Sequence, residues 1–377
     1  MLRKALVLVF MLASVVSSLS CGKTANHYVY ATVPATSQLA VFREDPFSGV
    51  LTQLSESPYT VGSGAQSVVI HPSGKFLYVA NPGQGENDVS LFDIYSDGTV
   101  TEVTPRTPTG TLPFVLAMDP AGNYLYVANV LSTNISVFAI NATTGALTPV
   151  GTNCTQAPQN CSPFSINIVP HNMQISPSGN FLYVSGPGQP TGVVAVFSVT
   201  AGVLSFVNFT PAADNDPSGL AIDPTGSYLY TANAAASSIS IYCIVPAPCT
   251  HPQTPPPPPG SLQSVPQSPL ADNELHPVAL ILDPKGSYLY VANQGSNNVS
   301  TYSITSGTGF PVQVTDSPFG SEAQPSFLAI DPSGKYLYVG NQAASAGVQA
   351  FGIASGSLNS IATYSVGNTP TSIAVLQ

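Results

Sequence analysis

Apolar and polar positions alternate in short runs along most of the chain, and one arrangement of them occurs in six copies. A copy begins with an apolar run such as Phe327–Ile330, continues through a Pro-x-Gly turn such as the Asp-Pro-Ser-Gly of residues 331–334, and then alternates as in Tyr336–Asn341. Short period-two runs bounded by Gly, Pro, Asn and Ser predict β-strands. Asp first, Pro second and Gly fourth is the chemistry of a type I turn. We therefore predict two antiparallel strands joined by a tight turn, followed by a third strand and a hairpin into a fourth.

The spacing of the copies predicts the architecture. The turn glycines are separated by 48, 57, 47, 60 and 48 residues, and they are Gly74, Gly122, Gly179, Gly226, Gly286 and Gly334. The glycines expected in the outer hairpins number seven, and they are Gly49, Gly98, Gly145, Gly202, Gly260, Gly309 and Gly356. A repeat of this length with four short strands is typical of a propeller blade. The sequence predicts an all-β, seven-bladed β-propeller with four antiparallel strands per blade.

The two ends of the repeat region complement each other. The first copy, which starts at His27, lacks an innermost strand, whereas the last residues, 369–377, read as an innermost strand with no blade after it. We expect the C-terminal strand to complete the N-terminal blade, because closing the ring removes exposed strand edges. Residues 27–377 are therefore predicted to form a single propeller.

The N-terminal segment has the pattern of an export signal. Arg3 and Lys4 precede the apolar run Ala5–Val16, and small residues lead to Cys21. The run is too short to span a bilayer. We expect residues 1–20 to be a lipoprotein signal peptide, Cys21 to be lipidated, and residues 21–26 to form a tether. The protein would then be exported to a bacterial periplasm or cell surface. A plain secretory signal with an incidental cysteine is the alternative.

The other four cysteines fall in the two longest intervals of the repeat. Cys154 and Cys161 lie in an insertion near residues 150–165, and Cys243 and Cys249 lie in one near residues 243–260. Four cysteines allow three pairings, and we expect the two local disulfides, which suit an oxidising compartment.

Charge narrows the range of partners. The chain has 44% apolar and 7% charged residues, a net charge of −10, and only 8 Lys and Arg. Nucleic-acid binding requires clustered cations, so this class is excluded, and membrane contact is expected only through the lipid anchor. We expect a monomer without a cofactor.

Residues at the start of the innermost strands and at the end of the second strands should lie on one face, around the mouth of the central channel. The candidate ligand-binding residues there are Gln66, Ser67, Asn172, Ser218 and Ser326, together with Asn81, Asn129, Asn233, Asn293 and Asn341. His171 is the one titratable residue of this predicted ring, so it is either a general base or a hydrogen-bonded structural histidine.

Acidic loops surround this predicted ring. They contain Asp214, Asp216 and Glu274, with His276 close to the last. Such residues could form a rim for a cation or a cationic partner, or they could be solvated charges that keep an uncharged protein soluble. We favour the second interpretation and predict no metal centre.

The repeated phrase P-x-x-h-x-h-D-P-x-G-x-Y-L-Y-V-A-N, where h is apolar, resembles the seven-bladed lactonase family over residues 27–377. This family includes 6-phosphogluconolactonase-type and YVTN-repeat propellers. WD and kelch propellers fit worse, because the chain has no Trp. The resemblance implies a catalytic set that is mostly missing here. His171 matches, but Val169 replaces a second His, Ser218 and Gly219 replace Arg-His, Ala234 replaces Glu, and Gln294 replaces Arg.

Two functions remain open at this point. The first is a cell-envelope binding or scaffold propeller that holds a protein, a glycan or a small neutral ligand at the channel mouth. The alternative is an extracytoplasmic lactonase, hydrolysing a lactone or carboxylic ester with His171 as the base.

Overall fold

Seven antiparallel sheets follow one another along the chain in the computed structural model, which describes residues 27–151, 161–188, 191–211, 214–247, 257–343 and 347–376. Each sheet is one blade. The seven-bladed all-β prediction is therefore confirmed. In the described ranges, no helix is long and apolar enough to cross a membrane. A short 3-10 helix, Pro34–Thr36, joins the first two strands.

The strands are numbered in chain order. They are β1 His27–Val33, β2 Gln38–Glu44, β3 Leu51–Gln53, β4 Tyr59–Thr60, β5 Ser67–Ile70, β6 Phe76–Asn81, β7 Asp88–Ile94, β8 Val100–Pro108, β9 Pro113–Met118, β10 Tyr124–Asn129, β11 Asn134–Ile140, β12 Leu147–Pro149, β13 Phe164–Ser165, β14 Asn172–Ile175, β15 Phe181–Gly186, β16 Val193–Thr200, β17 Val203–Pro211, β18 Pro217–Ile222, β19 Tyr228–Asn233, β20 Ser238–Ile244, β21 Leu262–Ser264, β22 Leu270–Ala271, β23 Pro277–Leu282, β24 Tyr288–Asn293, β25 Asn298–Ile304, β26 Pro311–Gln313, β27 Phe319–Gly320, β28 Pro325–Ile330, β29 Tyr336–Asn341, β30 Val348–Ala354, β31 Ser357–Tyr364 and β32 Ser372–Leu376.

In blades 2 to 7 the strands follow one another along the chain from the channel outwards, and in blade 1 the innermost strand is β32. Blade 1 contains β1 to β4 and β32, blade 2 β5 to β8, blade 3 β9 to β13, blade 4 β14 to β17, blade 5 β18 to β22, blade 6 β23 to β27, and blade 7 β28 to β31. In blades 1, 3, 5 and 6 the fourth strand is formed by two short segments that both pair with the third strand. The four-stranded plan is therefore retained in every blade.

The ring closes through the last strand of the chain. Strand β32 pairs antiparallel with β1, in a register from Tyr28 opposite Leu376 to Thr32 opposite Ser372. The innermost strands β32, β5, β9, β14, β18, β23 and β28 each contact the next, and β28 contacts β32. The predicted closure is confirmed, and it gives blade 1 an innermost strand like those of the other six blades.

The hydrophobic core is divided into seven layers, each lying between two neighbouring blades. The second strand of each blade has both faces covered. In β10, for example, Leu125 and Tyr126 are both fully buried, one facing blade 2 and the other blade 4. This is why the repeated strand is almost continuously apolar, since burial of each large side chain contributes about 1.5–3 kcal/mol.

A contact between aromatic and glycine residues joins each blade to the next. The first aromatic of the second strand covers the hairpin glycine of the following blade: a Cβ placed on Gly98 would lie 2.2 Å from Tyr28 Cδ1. Gly98 also has a φ of +82°, which glycine adopts without strain. The same contact occurs between Phe76 and Gly145, Tyr124 and Gly202, Phe181 and Gly260, Tyr228 and Gly309, Tyr288 and Gly356, and Tyr336 and Gly49. The chain repeats its aromatic phrase because every blade junction uses it.

The Asp-Pro-x-Gly turns lie on the face opposite the mouth, where the Asp side chain bonds to the backbone of the turn. Asp283 Oδ1 accepts backbone hydrogen bonds from Ser287 and Tyr288 at 2.6 and 2.7 Å. The Asp283 carbonyl accepts from the Gly286 N–H at 2.8 Å. The carboxylate thus satisfies amides at the start of the second strand, as expected for Asp in such a turn.

Both insertions interrupt the outer part of a blade. One lies between β12 and β13 in blade 3, and the other between β20 and β21 in blade 5. Cys161 and Cys243 are buried, whereas Cys154 and Cys249 lie outside the described residues, as do Cys21 and the rest of residues 1–26. The pairings and the lipidation therefore remain predictions.

Candidate functional site: the channel mouth

The five predicted mouth asparagines end the second strands of their blades, but their side chains face the sheet interior. Asn129 Nδ2 donates to Asn134 Oδ1 at 2.8 Å and to Ser136 Oγ at 3.0 Å. Asn81, Asn233, Asn293 and Asn341 likewise donate to groups on or beside the third strand. All five are fully buried. They hold strand ends together and do not line the mouth.

The predicted hydroxyls are also engaged within the scaffold. Ser67 is buried, and its Oγ accepts from the Leu116 N–H of the next blade at 3.1 Å. Ser218 Oγ lies 3.3 Å from the carbonyl oxygens of both Ala232 and Pro277, so it also bridges two blades. Ser326 Oγ donates to the Gly340 carbonyl at 3.3 Å. These serines tie inner strands together.

Gln66 and Asn172 are the predicted ligand-binding amides that stay partly exposed. Gln66 precedes β5, and its backbone N–H donates to the Ala80 carbonyl at 2.9 Å. Asn172 begins β14, and its Oδ1 accepts from the Met173 N–H at 2.7 Å. The Asn172 Nδ2 group is not used by that bond and remains a potential donor.

His171 immediately precedes β14 and is held by its backbone. Its N–H donates to the Ser185 carbonyl at 2.8 Å. Its Nδ1 lies 3.3 Å from Asp216 Oδ1, and the two side chains are 34% and 41% exposed. The structure thus brings the candidate base together with one of the loop acids, across the junction between blades 4 and 5.

The two side-chain atoms are at ion-pair distance. When Nδ1 donates its proton to the Asp216 carboxylate, the lone pair of Nε2 is left to accept one. The loop that carries Asp216 is fixed, since the Asp216 carbonyl accepts from the Ala234 N–H at 2.9 Å. Asp216 has a φ of +57°, a left-handed conformation that Asp tolerates better than most residues. Sequence reasoning missed the pair, because the residues lie in different blades, 45 positions apart.

The other acidic candidates do not gather around a common point. Asp214 Oδ2 accepts from Ser238 Oγ at 2.9 Å, and Glu274 Oε2 accepts from Asn298 Nδ2 at 2.7 Å. His276 is exposed in the loop that leads into blade 6. Among the described residues, these side chains do not bring three metal-ligating atoms together.

Apolar side chains are exposed on the mouth face. Phe114 and Val169 are 40% and 37% exposed just at or before the inner strands of blades 3 and 4. Leu131 and Leu275 are 68% and 63% exposed in loops of the same face. We call these four residues the apolar rim.

The channel below the mouth has an uncharged lining that exposes polar as well as apolar atoms. A cavity of about 370 Å³ lies among the inner strands of blades 1 to 4, and its lining includes Ile70, Met118, Ile175 and Val375. A ligand at the mouth would therefore rest above an uncharged channel.

Cations are placed away from the mouth in the described part of the chain. Lys75, Lys285 and Lys335 follow the turns of the opposite face. Arg106 lies in the outer strand β8, where it contacts Glu102 at 2.6 Å and Glu86 at 3.0 Å. The charge of Arg106 is therefore balanced by two neighbouring carboxylates, and it is not directed at the channel.

Comparisons with known proteins agree with this architecture. The family model described as lactonase, 7-bladed beta-propeller matches residues 24–164, 167–249 and 260–375. Among solved structures, a Bacteroides fragilis protein provisionally named a 6-phosphogluconolactonase is 19% identical, with a TM-score of 0.73 over 94% of this chain and 99% of that one. The periplasmic gluconolactonase PpgL of Pseudomonas aeruginosa is 19% identical, with a TM-score of 0.71 over 93% of this chain and 99% of that one. Likeness at this identity shows the fold alone, whereas the family match spans most of the chain, and the protein belongs to the seven-bladed β-propeller lactonase family.

Proposed function

We propose that the protein is an exported binding propeller whose channel mouth holds a small uncharged ligand, such as a neutral sugar. The observation that carries this proposal is the mouth itself: it exposes an apolar rim with the amides of Gln66 and Asn172, and no described Lys or Arg faces it. Apolar surface with a few placed polar groups is typical of ligand sites. The mouth could also bind a small uncharged group of this kind when it forms part of a protein or a glycan chain.

Charge supports a neutral ligand. The mouth-face loops carry Glu86, Asp214, Asp216, Glu274 and Glu322. A phosphate or carboxylate ligand would need Arg or Lys and would be repelled by these acids. The ligand proposed here is therefore unphosphorylated, unlike the sugar phosphate that gives the Bacteroides fragilis structural relative its name.

Calorimetry with a panel of neutral sugars and lactones, each beside its phosphorylated or carboxylated form, tests the proposal. We expect the neutral members to bind more tightly. Phe114→Ala should weaken binding roughly tenfold, equivalent to about 1.4 kcal/mol. Phe47→Ala is the matched control, because Phe47 is 79% exposed on the opposite face. Preferential binding of the anionic members, or equal effects of the two variants, would contradict the proposal.

Lactone hydrolysis is the second candidate, and the contact between His171 and Asp216 favours it. His171 Nε2 would take a proton from water as the water oxygen attacks the lactone carbonyl. The ring C–O bond then breaks, and the alcohol oxygen receives the proton, which gives the hydroxy acid. In this mechanism, Asn172 Nδ2 would donate to the carbonyl oxygen as negative charge develops there.

Hydrolysis of a panel of unphosphorylated lactones, followed in a pH-stat, tests this second candidate. His171→Ala should lower kcat by about 10²–10⁴-fold. Asp216→Asn should lower it less, because the imidazole remains but is no longer held by a carboxylate. Asp214→Asn is the control, since Asp214 is bonded to Ser238 and not to His171. Turnover that survives His171→Ala unchanged would exclude the mechanism.

We further propose export with lipidation at Cys21, local Cys154–Cys161 and Cys243–Cys249 disulfides, and a monomer. The closed ring supports a monomer, because β32 of the same chain completes blade 1 and no strand from a second copy is needed. Mass spectrometry of the cell-extracted protein under non-reducing conditions should show a lipid on Cys21 and both disulfide-linked peptides. A Cys21→Ala variant should lose the membrane association. A chain that begins at Met1 would contradict export.

A further inference from the structure

Glu44 is a buried carboxylate at a position that the other blades fill with an aliphatic side chain, half-buried in all but one of them. It ends β2, the third strand of blade 1, and lies opposite His27 in the pairing with β1. The residues at this position in the other six blades are Ile94, Ile140, Val199, Ile244, Ile304 and Ile353. The seven blades can therefore be compared with one another, and blade 1 is the one that has an acidic residue, Glu44, at this position.

The surroundings of Glu44 do not satisfy its carboxylate. The side chain is fully buried, with 0% exposure. The side chains of His27 and Tyr338 lie beside the carboxylate as potential donors, but neither forms a hydrogen bond of good geometry with its two oxygens. A buried carboxylate without a well-formed hydrogen bond is costly, so an additional partner is expected there.

Two further side chains complete a three-membered cluster. His27 Nδ1 lies 3.5 Å from Glu44 Oε1. Asp331, from the turn of blade 7, brings a carboxylate oxygen so that the three ligand atoms lie within 4.8 Å of one another. Asp331 is already oriented, because its Oδ1 accepts from the N–H groups of Lys335 and Tyr336 at 2.7 and 2.6 Å. We call His27, Glu44 and Asp331 the seam cluster.

We propose that the seam cluster binds one divalent transition-metal ion of the Zn²⁺ class. One neutral imidazole and two carboxylates give a charge of −2, which matches the ion. Tetrahedral zinc with bonds of about 2.0–2.1 Å places its ligand atoms roughly 3.3 Å apart, close to the separation of His27 and Glu44. An imidazole ligand favours Zn²⁺ over Ca²⁺ and Mg²⁺, which prefer oxygen alone.

The proposed ion would join the two ends of the ring. His27 and Glu44 belong to blade 1 and Asp331 to blade 7, so the three ligands meet where β32 has already closed the circle. The buried hydroxyl of Tyr338 lies beside Glu44 and is available to orient a ligated carboxylate. Since the three ligands come together only in the folded ring, binding should stabilise it.

Zinc titration of the purified, chelator-treated full chain tests the proposal. We expect one Zn²⁺ per chain, and a melting temperature that rises with zinc but hardly at all with Mg²⁺ or Ca²⁺. Glu44→Ile, the residue of most other blades, should abolish both effects without lowering the melting temperature of the metal-free protein. Asp216→Asn, at the mouth, should retain them. An absence of zinc binding, or binding unchanged in Glu44→Ile, would overturn the proposal.

A second variant separates a metal site from a His–Glu ion pair. His27→Asn places at residue 27 the side chain that blades 3 and 4 carry at Asn123 and Asn180. For a metal ligand, zinc affinity should fall by at least tenfold, while the metal-free melting temperature stays unchanged. A lower metal-free melting temperature with no zinc response in the parent protein would assign the cluster to an ion pair and refute the metal site.

Discussion

The junction between blades 2 and 3 and the seam between blades 7 and 1 use the same scaffold with one difference. At the first junction, Phe76 covers Gly145, and the third strand of blade 3 ends in the apolar Ile140. At the seam, Tyr336 covers Gly49 in the same way, but the third strand ends in Glu44. A repeated fold shows which residues the architecture requires, so a departure from the repeat marks a residue that serves another purpose.

Blade 4 departs from the repeat on both faces of the ring, at the mouth through Gly186 and at the turn face through Ser176. Gly186 stands where five blades have the buried asparagine, and Ser176 replaces the turn aspartate. Ser176 Oγ accepts from the Phe181 N–H at 3.1 Å, so a shorter side chain does the work of the aspartate. His171 lies in this same blade. The two departures therefore identify a site at the mouth and another at the seam on the opposite face.

The largest effect should come from truncating the core at the seam. Ile373 in β32 and Leu328 in β28 occupy equivalent positions of neighbouring inner strands, and they are 5% and 6% exposed. Either residue changed to Ala should cost about 2–5 kcal/mol of unfolding free energy, by loss of buried methyl groups and formation of a cavity. Chemical denaturation measures both values. A cost below about 1 kcal/mol for Ile373→Ala alone would show that the seam is not part of the cooperative core.

The next effect tests the contact between aromatic and glycine residues. Gly98 and Gly307 have φ values of +82° and +80°, but only a Cβ on Gly98 would strike a neighbour, Tyr28. Gly307→Ala should cost about 1–2 kcal/mol, the strain of a left-handed residue. Gly98→Ala should cost about 1–3 kcal/mol more, because the tyrosine must move. Chemical denaturation measures both losses of unfolding free energy. Equal losses for the two variants would mean that the contact between Tyr28 and Gly98 is loosely packed and contributes little to the junction.

The fold was predictable because the sequence pattern of a blade recurs in each of the seven blades. Turn chemistry, strand period and repeat length each appear in several copies, and the strand missing at one end is present at the other. The candidate site was less predictable, since contacts between blades join residues far apart in the chain. The position of Asn129 at the mouth face followed from its strand, but its burial depends on the third strand, and the contact of His171 with Asp216 depends on the next blade. Aligning the repeats would have singled out Glu44, but not its neighbour Asp331, which depends on closure.

Asp272 is a buried carboxylate that accepts a well-formed hydrogen bond, in contrast to Glu44. Asp272 is fully buried and accepts a hydrogen bond from the Tyr302 hydroxyl. Burial raises the pKa of Asp272 to about 6, whereas an unfolded Asp has a pKa of about 3.9. The folded state therefore keeps this proton to higher pH. Its stabilising contribution is complete below about pH 4 and is lost as the pH rises through 6, in total roughly 2–3 kcal/mol.

Unfolding free energies measured from pH 4 to pH 7 for the parent protein and Asp272→Asn test this pH dependence. The difference between the two curves should change across that window, because the other carboxyls cancel in the subtraction. The control Asp316→Asn changes an exposed acid, and its difference curve should be flat. A flat curve for Asp272→Asn as well would show that this carboxyl ionises normally in the folded protein.

The smallest effect distinguishes junctions that share the same apolar packing. Tyr78 and Tyr126 are equivalent, fully buried residues of blades 2 and 3. The Tyr78 hydroxyl donates to the Gly145 carbonyl of the next blade at 2.7 Å, whereas the Tyr126 hydroxyl has no hydrogen-bond partner among the described residues. Tyr78→Phe should cost about 1–2 kcal/mol, because it leaves a buried carbonyl unpaired.

Tyr126→Phe should be neutral or slightly stabilising, because it removes a buried hydroxyl that has already lost its water. The two substitutions delete the same atom from the same strand position, so packing cancels and the difference in unfolding free energy reports the hydrogen bond alone. Equal costs would mean that Tyr126 finds a donor or acceptor in solution. In that case, the seven junctions would be more alike than their geometry indicates, and Glu44 would be the more isolated exception.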